Sequence, residues 1–118
     1  MAKHIKTGIE GEILGAAYLL TEGFVIKETN WRYKRSEVDV IAIKNNTLHF
    51  IEIKTRRSKN FGLPEDLVGK KKIENLIIAA EQYLFIHPEW KRIQFNILSI
   101  SILHNVPIEY FLIEDVYL

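Results

Sequence analysis

Residues 37–54 read EVDVIAIKNNTLHFIEIK and form two strand-like runs on either side of Asn45-Asn46. Asparagine tolerates the left-handed backbone conformation that a two-residue hairpin turn requires. With the turn at these asparagines, Asp39 on the first run faces Glu52 on the second, with their Cβ atoms about 5 Å apart. Because like charges on facing strand positions repel each other, this pair predicts a site for a compensating cation.

The predicted hairpin is apolar on both faces. One face carries Ile41, Ile43, Leu48 and Phe50, and the other carries Val38, Val40, Ala42, Ile51 and Ile53. Such strands are typical of a central sheet that helices cover on both sides. Asp39, Glu52 and Lys54 form the polar end of one face, with Glu37 opposite Lys54, so we expect them at a rim of the sheet that a substrate can reach. A register shift of one residue would separate them.

The composition limits the class of protein. The 118 residues suffice for one domain, 1–118, and 47% of them are hydrophobic, which indicates a globular fold. The chain has no cysteine, so a metal would be bound by oxygen or histidine ligands. No apolar run is long enough to span a bilayer and the N-terminus lacks a signal-peptide core, so we expect a soluble, cytoplasmic protein without a membrane partner.

The basic residues are clustered, although the net charge is only +1. The clusters are Arg32 with Lys34 and Arg35, the run of Lys54, Arg56, Arg57 and Lys59, and Lys70-Lys71-Lys72. Polyanion binding depends on such clusters lying on one face. Each cluster alone is equally typical of a solvated loop or helix surface.

The first predicted helix runs from about Thr7 to Thr21. Thr7-Gly8-Ile9-Glu10 has the pattern of a capping box. The expected buried stripe consists of Ile9, Ile13, Ala16 and Leu20. Glu12 lies at the border of this stripe, where its carboxylate is held against the edge of the core. A partly buried glutamate that reaches out to water is the alternative interpretation.

The remaining pattern predicts four further elements beside the hairpin. A strand runs from Phe24 to Arg32, a second helix from Pro64 to His87, and two strands cover 93–102 and 108–113. Lys72 borders the apolar stripe of the second helix, and Lys71 faces away. The order α-β-β-β-α-β-β predicts an α/β fold with a central mixed β-sheet flanked by helices.

The chain as a whole resembles the YraN-like family of small bacterial proteins. The resemblance rests on Gly8, Gly11, Glu12 and Ala16, on Asn30 and Arg32, on Glu37-Val38-Asp39 and Ile41-Ala42, on Phe50-Ile51-Glu52-Ile53-Lys54 and Arg56, and on Phe61-Gly62, Lys72, Ala80 and Tyr83-Leu84. These residues are ordered along nearly the whole length. Any one fragment, such as Glu-x-Lys alone, would be weak.

That family is similar to a branch of the PD-(D/E)xK nuclease superfamily, with a restriction-endonuclease-like fold related to archaeal Holliday-junction resolvases. The resemblance implies that the catalytic residues are Glu12, Asp39, Glu52 and Lys54. The chain departs from the pattern in two places. Val38 replaces the proline before Asp39, and Gln94-Phe95-Asn96 stands where the family usually has Arg-Phe-Asp.

The resemblance also implies an activity, namely Mg²⁺- or Mn²⁺-dependent endonucleolytic hydrolysis of DNA, including branched substrates. The metal ligands would be Asp39, Glu52, the carbonyl of Ile53 and Glu12. Lys54 would orient the attacking water or neutralise the scissile phosphate. The flanking phosphates would be contacted by Arg32, Arg56, Arg57 and Lys72.

Two other interpretations stay open from the sequence. The chain could be a non-catalytic nucleic-acid-binding protein on a nuclease-like scaffold, or an assembly partner in DNA processing. Resolvase-like relatives often act as two-fold homodimers, which match symmetric substrates. Ile108, Phe111 and Leu112 suit either such an interface or the core.

Overall fold

The computed structural model describes residues 3–57 and 69–116. In these residues two helices and five strands follow one another in the predicted order. The elements are α1 (Lys3–Thr21), β1 (Val25–Tyr33), β2 (Ser36–Lys44), β3 (Thr47–Arg56), α2 (Lys70–Ile86), β4 (Ile93–Ser101) and β5 (Glu109–Ile113). The predicted start of the second helix at Pro64 lies outside the described residues.

The strands form one five-stranded sheet in the order β1-β2-β3-β4-β5. Strands β3 and β4 are parallel, and the other neighbouring pairs are antiparallel. The parallel pair is joined by the crossover that contains α2, as a parallel connection requires. This mixed sheet with helices confirms the predicted α/β class and is consistent with a restriction-endonuclease-like fold.

The central hairpin has the predicted turn. Asn45 and Asn46 adopt φ values of 53° and 58°, as a two-residue type I′ turn requires. The register follows from this turn, because Lys44 pairs with Thr47. Pairing continues as far as Val40 and Ile51, where the two strands separate.

Two apolar clusters fill the space between the sheet and the helices. The cluster under α2 contains Val38, Ile41, Leu48, Phe50, Leu76, Ala79, Ala80 and Tyr83. The cluster under α1 contains Leu19, Phe24, Val40, Ala42, Ile51, Leu98 and Ile100. The division matches the predicted faces of the hairpin except at Val38. This residue was expected beside Val40 but packs under α2, because β2 turns away from β3 at this point.

The buried face of α1 differs from the predicted one. Gly11, Gly15 and Leu19 are buried, whereas Ile13 is 67% exposed; Ile9 and Leu20 are also exposed. The helix packs through its smallest side chains because it lies very close to β3. A Cβ atom at Gly11 would be 1.9 Å from Thr55 Oγ1. Hydrophobic periodicity alone does not reveal such a close approach.

The start of α1 also differs from the predicted start. The helix begins at Lys3, so Thr7 lies within it and cannot be the predicted N-cap. At the other end Gly23 adopts a φ of 93°, and the amide of Phe24 donates a hydrogen bond to the carbonyl of Leu19 at 3.0 Å. This left-handed glycine turns the chain into β1.

No helix in 3–57 or 69–116 is long and apolar enough to cross a membrane.

Asn96, one of the residues on β4 that depart from the family pattern, has a structural role. Asn96 is buried, and its Nδ2 lies 2.9 Å from His49 Nδ1. Its Oδ1 accepts a hydrogen bond of 3.0 Å from the amide of Asp115. Burial lowers the pKa of His49. The Asn96 amide therefore links β3, β4 and the segment after β5 through neutral hydrogen bonds.

Candidate active site

The candidate site lies where two central strands separate. Beyond Val40 and Ile51, β2 stays paired with β1, and β3 stays paired with β4. Asp39 and Glu52 are the first residues past this last pair. The gap is closed partly by Asp39, whose Oδ2 accepts a hydrogen bond of 2.8 Å from the amide of Ile53. The two carboxyl groups thus lie at the fork between the strands.

Both carboxyl groups are buried. The exposed fractions of Asp39 and Glu52 are 8% and 4%. Burial, followed by the neighbouring Asp39 charge, raises the pKa of Glu52 from 4.5 to about 8. Hydrogen bonding with the side chain of Asp39 raises the pKa of Glu52 further. Glu52 Oε1 is buried and accepts no hydrogen bond from an N–H or O–H group in the described part of the chain.

Lys72 brings a positive charge to this site. Its Nζ lies 3.1 Å from Glu52 Oε2, and it enters from the first turn of α2. Burial lowers the pKa of Lys72, but the ion pair with Glu52 and the negative charges of Asp39 and Glu37 together more than offset this effect, so that the pKa is raised overall. The sequence suggested a contact to a flanking phosphate for this residue, whereas the structure pairs it with a central carboxylate.

Glu12 approaches the same carboxyl groups from α1. Burial raises its pKa, and the negative charge of Asp39 raises it further. A hydrogen bond from the side chain of Asn30 has the opposite effect, because it stabilises the charged form. The close packing of Gly11 on Thr55 explains how a helix on one face of the sheet brings its next residue to the fork.

Asn30 is a site residue to which sequence reasoning gave no role. It lies in the middle of β1 with a φ of 51°. Thr29 pairs with Val40 and Trp31 pairs with Val38, so Asn30 is opposite Asp39 across the two strands. The available signal was its residue type, since asparagine is depleted from strand interiors and tolerates positive φ.

Lys54 lies on β3 two residues after Glu52, so the two share a side of the strand. Lys54 is half-buried, and it pairs with Ser99 of β4. The predicted pairing with Glu37 is wrong, because the strands have already separated at that level. Glu37 Oε2 instead accepts a hydrogen bond of 3.1 Å from Arg32 Nη2.

The other predicted phosphate contacts have partners within the protein. Arg32 forms the ion pair with Glu37, and Arg57 forms one with Glu10. The Nε of Arg56 donates a hydrogen bond of 3.1 Å to Ser101 Oγ. A phosphate would therefore have to compete with acceptors that these guanidinium groups already contact.

The donor set fits a hard divalent cation, although it is not a preformed cluster. In 3–57 and 69–116, no three histidine or carboxylate side chains converge closely enough to hold a metal by themselves. Asp39 and Glu52 supply adjacent oxygen atoms, and Glu52 Oε1 is buried with no donor to satisfy it. Mg²⁺ prefers oxygen ligands and commonly binds through one or two carboxylates while keeping several waters. Ile53 contacts Asp39 through its amide nitrogen, and its carbonyl is the predicted ligand.

The fold and the buried acidic fork define an α/β protein of restriction-endonuclease-like architecture. Comparison with known sequences identifies the family of the chain within this class. Residues 11–100 match the model of UPF0102, an uncharacterised protein family, and the chain belongs to this family.

Three relatives illustrate the match. The chain is 39% identical over 100 residues to UPF0102 protein FP2501 of Flavobacterium psychrophilum, covering 85% of this chain and 84% of the relative. It is 48% identical over 84 residues to a UPF0102 protein of Flavobacterium johnsoniae, covering 71% and 68%. It is 36% identical over 111 residues to a UPF0102 protein of Chlorobium chlorochromatii, covering 92% and 86%.

Proposed function

We propose that this protein is a metal-dependent endonuclease that hydrolyses DNA phosphodiester bonds, including those of branched DNA, in the cytoplasm. The observation that carries the proposal is the pair of buried carboxyl groups, Asp39 and Glu52, at the fork between β2 and β3. Buried carboxylates are costly unless they are paired or bind a cation. A site that concentrates them beside Glu12 and the ion-paired Lys72 is better explained by function than by stability.

The chemistry follows from the residues at the fork. A Mg²⁺ or Mn²⁺ ion would polarise the phosphoryl oxygen and lower the pKa of water. Asp39 and Glu52 would hold this ion, with Glu12 and the Ile53 carbonyl completing its ligands directly or through water. Lys54 would orient the attacking water or neutralise charge on the phosphate in the transition state. Preorganised charges of this kind usually make the largest contribution to catalysis.

The DNA backbone would be held by the basic residues around the fork. Arg32, Arg56 and Arg57 would contact phosphates on either side of the scissile bond, which position a substrate without reading its sequence. Their present partners are Glu37, Ser101 and Glu10. Phosphate would replace these contacts, and binding is therefore expected to weaken steeply as the salt concentration rises.

A homodimer belongs with this proposal. Ile108 and Phe111 are exposed near and on β5, an edge strand of the sheet, whereas Leu112 packs against the cluster under α1. Ile108 and Phe111 are thus available to contact a second copy of the chain, and Leu112 is not. A Phe111→Ser variant that lowers the mass in solution from dimer to monomer would support this arrangement, and a monomeric native protein would contradict it.

A second candidate is a non-catalytic nucleic-acid-binding or assembly protein on the same scaffold. It is favoured by the absence of a preformed group of three metal-binding side chains in the described residues. The pairing of Lys72 with Glu52 also favours it, because this ion pair compensates part of the charge without any metal.

The deciding experiment is a nuclease assay of the purified protein with Mg²⁺ or Mn²⁺ on single-stranded, duplex and four-way-junction DNA. An Asp39→Asn/Lys54→Ala double variant is purified in parallel as the control. Cleavage by the native protein alone would support the proposal and rank the substrates. Equal cleavage by both proteins would identify a contaminating nuclease. Junction binding without cleavage by either protein would support the second candidate.

A further inference from the structure

Lys72 and a divalent cation would need the same carboxylate. Lys72 Nζ contacts Glu52 Oε2 at 3.1 Å, on the group that the proposed function assigns to the metal. Asp39 Oδ2 is already engaged with the amide of Ile53. A metal that binds both acids would therefore lie close to the lysine ammonium, and the two positive charges would repel each other.

We propose that Lys72 is a second lysine of the catalytic centre, which pairs with Glu52 until a divalent cation displaces it and which then contacts the phosphodiester. This inference rests on the proposed nuclease function and deepens it. It assigns Lys72 to the scissile phosphate, whereas a flanking phosphate contact would not involve the metal.

The exposures of the two side chains determine which partner moves. The side chain of Glu52 is 5% exposed and lies on a strand within the sheet, whereas the side chain of Lys72 is 46% exposed at the start of α2. A lysine has a flexible stem and three donors, so it can leave one anion for another without moving the backbone. Glu52 has no such freedom, because it is buried on a strand that is paired with β4.

Replacement of Lys72 by a metal ion would also keep the negative charge at the fork compensated in both states. Without metal, Lys72 offsets part of the negative charge that Glu12, Asp39 and Glu52 carry when they are ionised. With metal, these carboxylates are compensated by the divalent ion, and the lysine becomes available to an incoming anion. Lys54 differs from Lys72 in this respect, because it lies on the strand beside Glu52 and no ion pair holds it there in the described residues.

The test measures Mg²⁺ binding by calorimetry, without nucleic acid, in the native protein and in Lys72→Met, Lys72→Arg and Lys71→Met. Methionine keeps the length of the stem and removes the charge, and Lys71 is an exposed neighbour on the same helix. Because protons also compete for Glu52, affinities are compared on the high-pH plateau of each variant. Circular dichroism verifies that each variant is folded.

We expect Lys72→Met to bind Mg²⁺ about two- to fivefold more tightly than the native protein, because a partly exposed ion pair competes by this order. Lys71→Met and Lys72→Arg should stay near the native affinity, and Lys72→Met should lose DNA cleavage despite its tighter binding. Unchanged or weaker binding by Lys72→Met would overturn the inference and leave the nuclease proposal intact. If the native protein binds no Mg²⁺, or if Asp39→Asn binds it equally well, the nuclease proposal itself fails.

Discussion

The carboxylate of Asp39 accepts a hydrogen bond from the backbone amide of Ile53, with 2.8 Å between Oδ2 and N, across strands that no longer pair. A side chain thus replaces the contact that a continuing strand ladder would have made. This arrangement keeps the strands apart and holds one oxygen of Asp39 in place. The same residue is therefore important both for the fold and for the proposed chemistry.

The two contributions of Asp39 can be separated by substitution. Asp39→Asn keeps an oxygen that can accept the Ile53 amide, so we expect its stability to stay close to native. Asp39→Ala leaves that amide without its acceptor, and we expect a loss of about 1–3 kcal/mol in the free energy of unfolding. Urea denaturation measures the difference.

Both variants should lose Mg²⁺ binding, since both lack the negative charge. Equal stabilities for the Asn and Ala variants would show that the hydrogen bond contributes nothing to the fold. Retained Mg²⁺ binding in either variant would exclude Asp39 as a ligand.

The stability of the metal-free protein should fall as the pH rises. The pKa of Glu52 is about 8 in the folded state, against 4.5 for an ordinary glutamate. Between these values the unfolded chain has released its proton and the folded protein has retained it, so raising the pH favours unfolding. The stabilisation that the retained proton provides is fully present below pH 4.5 and is lost as the pH rises through about 8, with a loss on the order of 4–5 kcal/mol.

Chemical denaturation at a series of pH values measures this slope. Glu52→Gln is the matched control, because it keeps the shape and removes the titration. The slope should become much flatter in this variant, and addition of Mg²⁺ to the native protein at high pH should restore stability. A native slope equal to that of Glu52→Gln would contradict the raised pKa.

Asn30 should tune the ionisation of Glu12. Asn30→Gly keeps a residue that is at ease with positive φ but removes the amide that hydrogen-bonds Glu12, so the pKa of Glu12 should rise further. Asn30→Ala should show the same rise and also lose about 1 kcal/mol of stability through backbone strain. Carboxyl ¹³C NMR and urea denaturation report the two effects.

Lys34 provides a control at another non-glycine position with positive φ, 56°. Lys34→Gly should relieve strain in the turn between β1 and β2 without changing the titration of Glu12. A Glu12 titration that is identical in the native protein and Asn30→Gly would remove Asn30 from the site.

The sequence was sufficient for the parts of the fold that depend on local chemistry. The two asparagines determined the turn, the turn determined the register, and the register brought Asp39 and Glu52 to neighbouring positions. The family resemblance added Glu12, which no local pattern connects to the hairpin. The order of the elements followed from the alternation of hydrophobic periods, and it is confirmed.

The other features of the fold and of the site depend on packing that a sequence pattern does not encode. The separation of β2 from β3 changed the environment of Val38 and removed the expected Glu37–Lys54 pair, because the register was extended beyond the last true pair. The ion pair of Lys72 with Glu52 joins a helix to a strand of distant sequence. The predicted stripe of α1 failed for a similar reason, because two glycines allowed the helix to approach β3 through its narrowest side.

This close approach gives a prediction for two glycines of one helix. Gly11→Ala would bring a Cβ atom to 1.9 Å from Thr55 Oγ1, whereas a Cβ atom at Gly8 would meet no other atom within 4 Å. Gly8→Ala should therefore stabilise the protein by about 0.5–1 kcal/mol through helix propensity. Gly11→Ala should instead lose about 1–3 kcal/mol through overpacking and shift Glu12 away from Asp39. Thr55→Ala should recover part of this loss in the double variant, as measured in a urea denaturation cycle. Gly11→Ala as stable as Gly8→Ala would show that α1 does not need its narrow face to reach the fork.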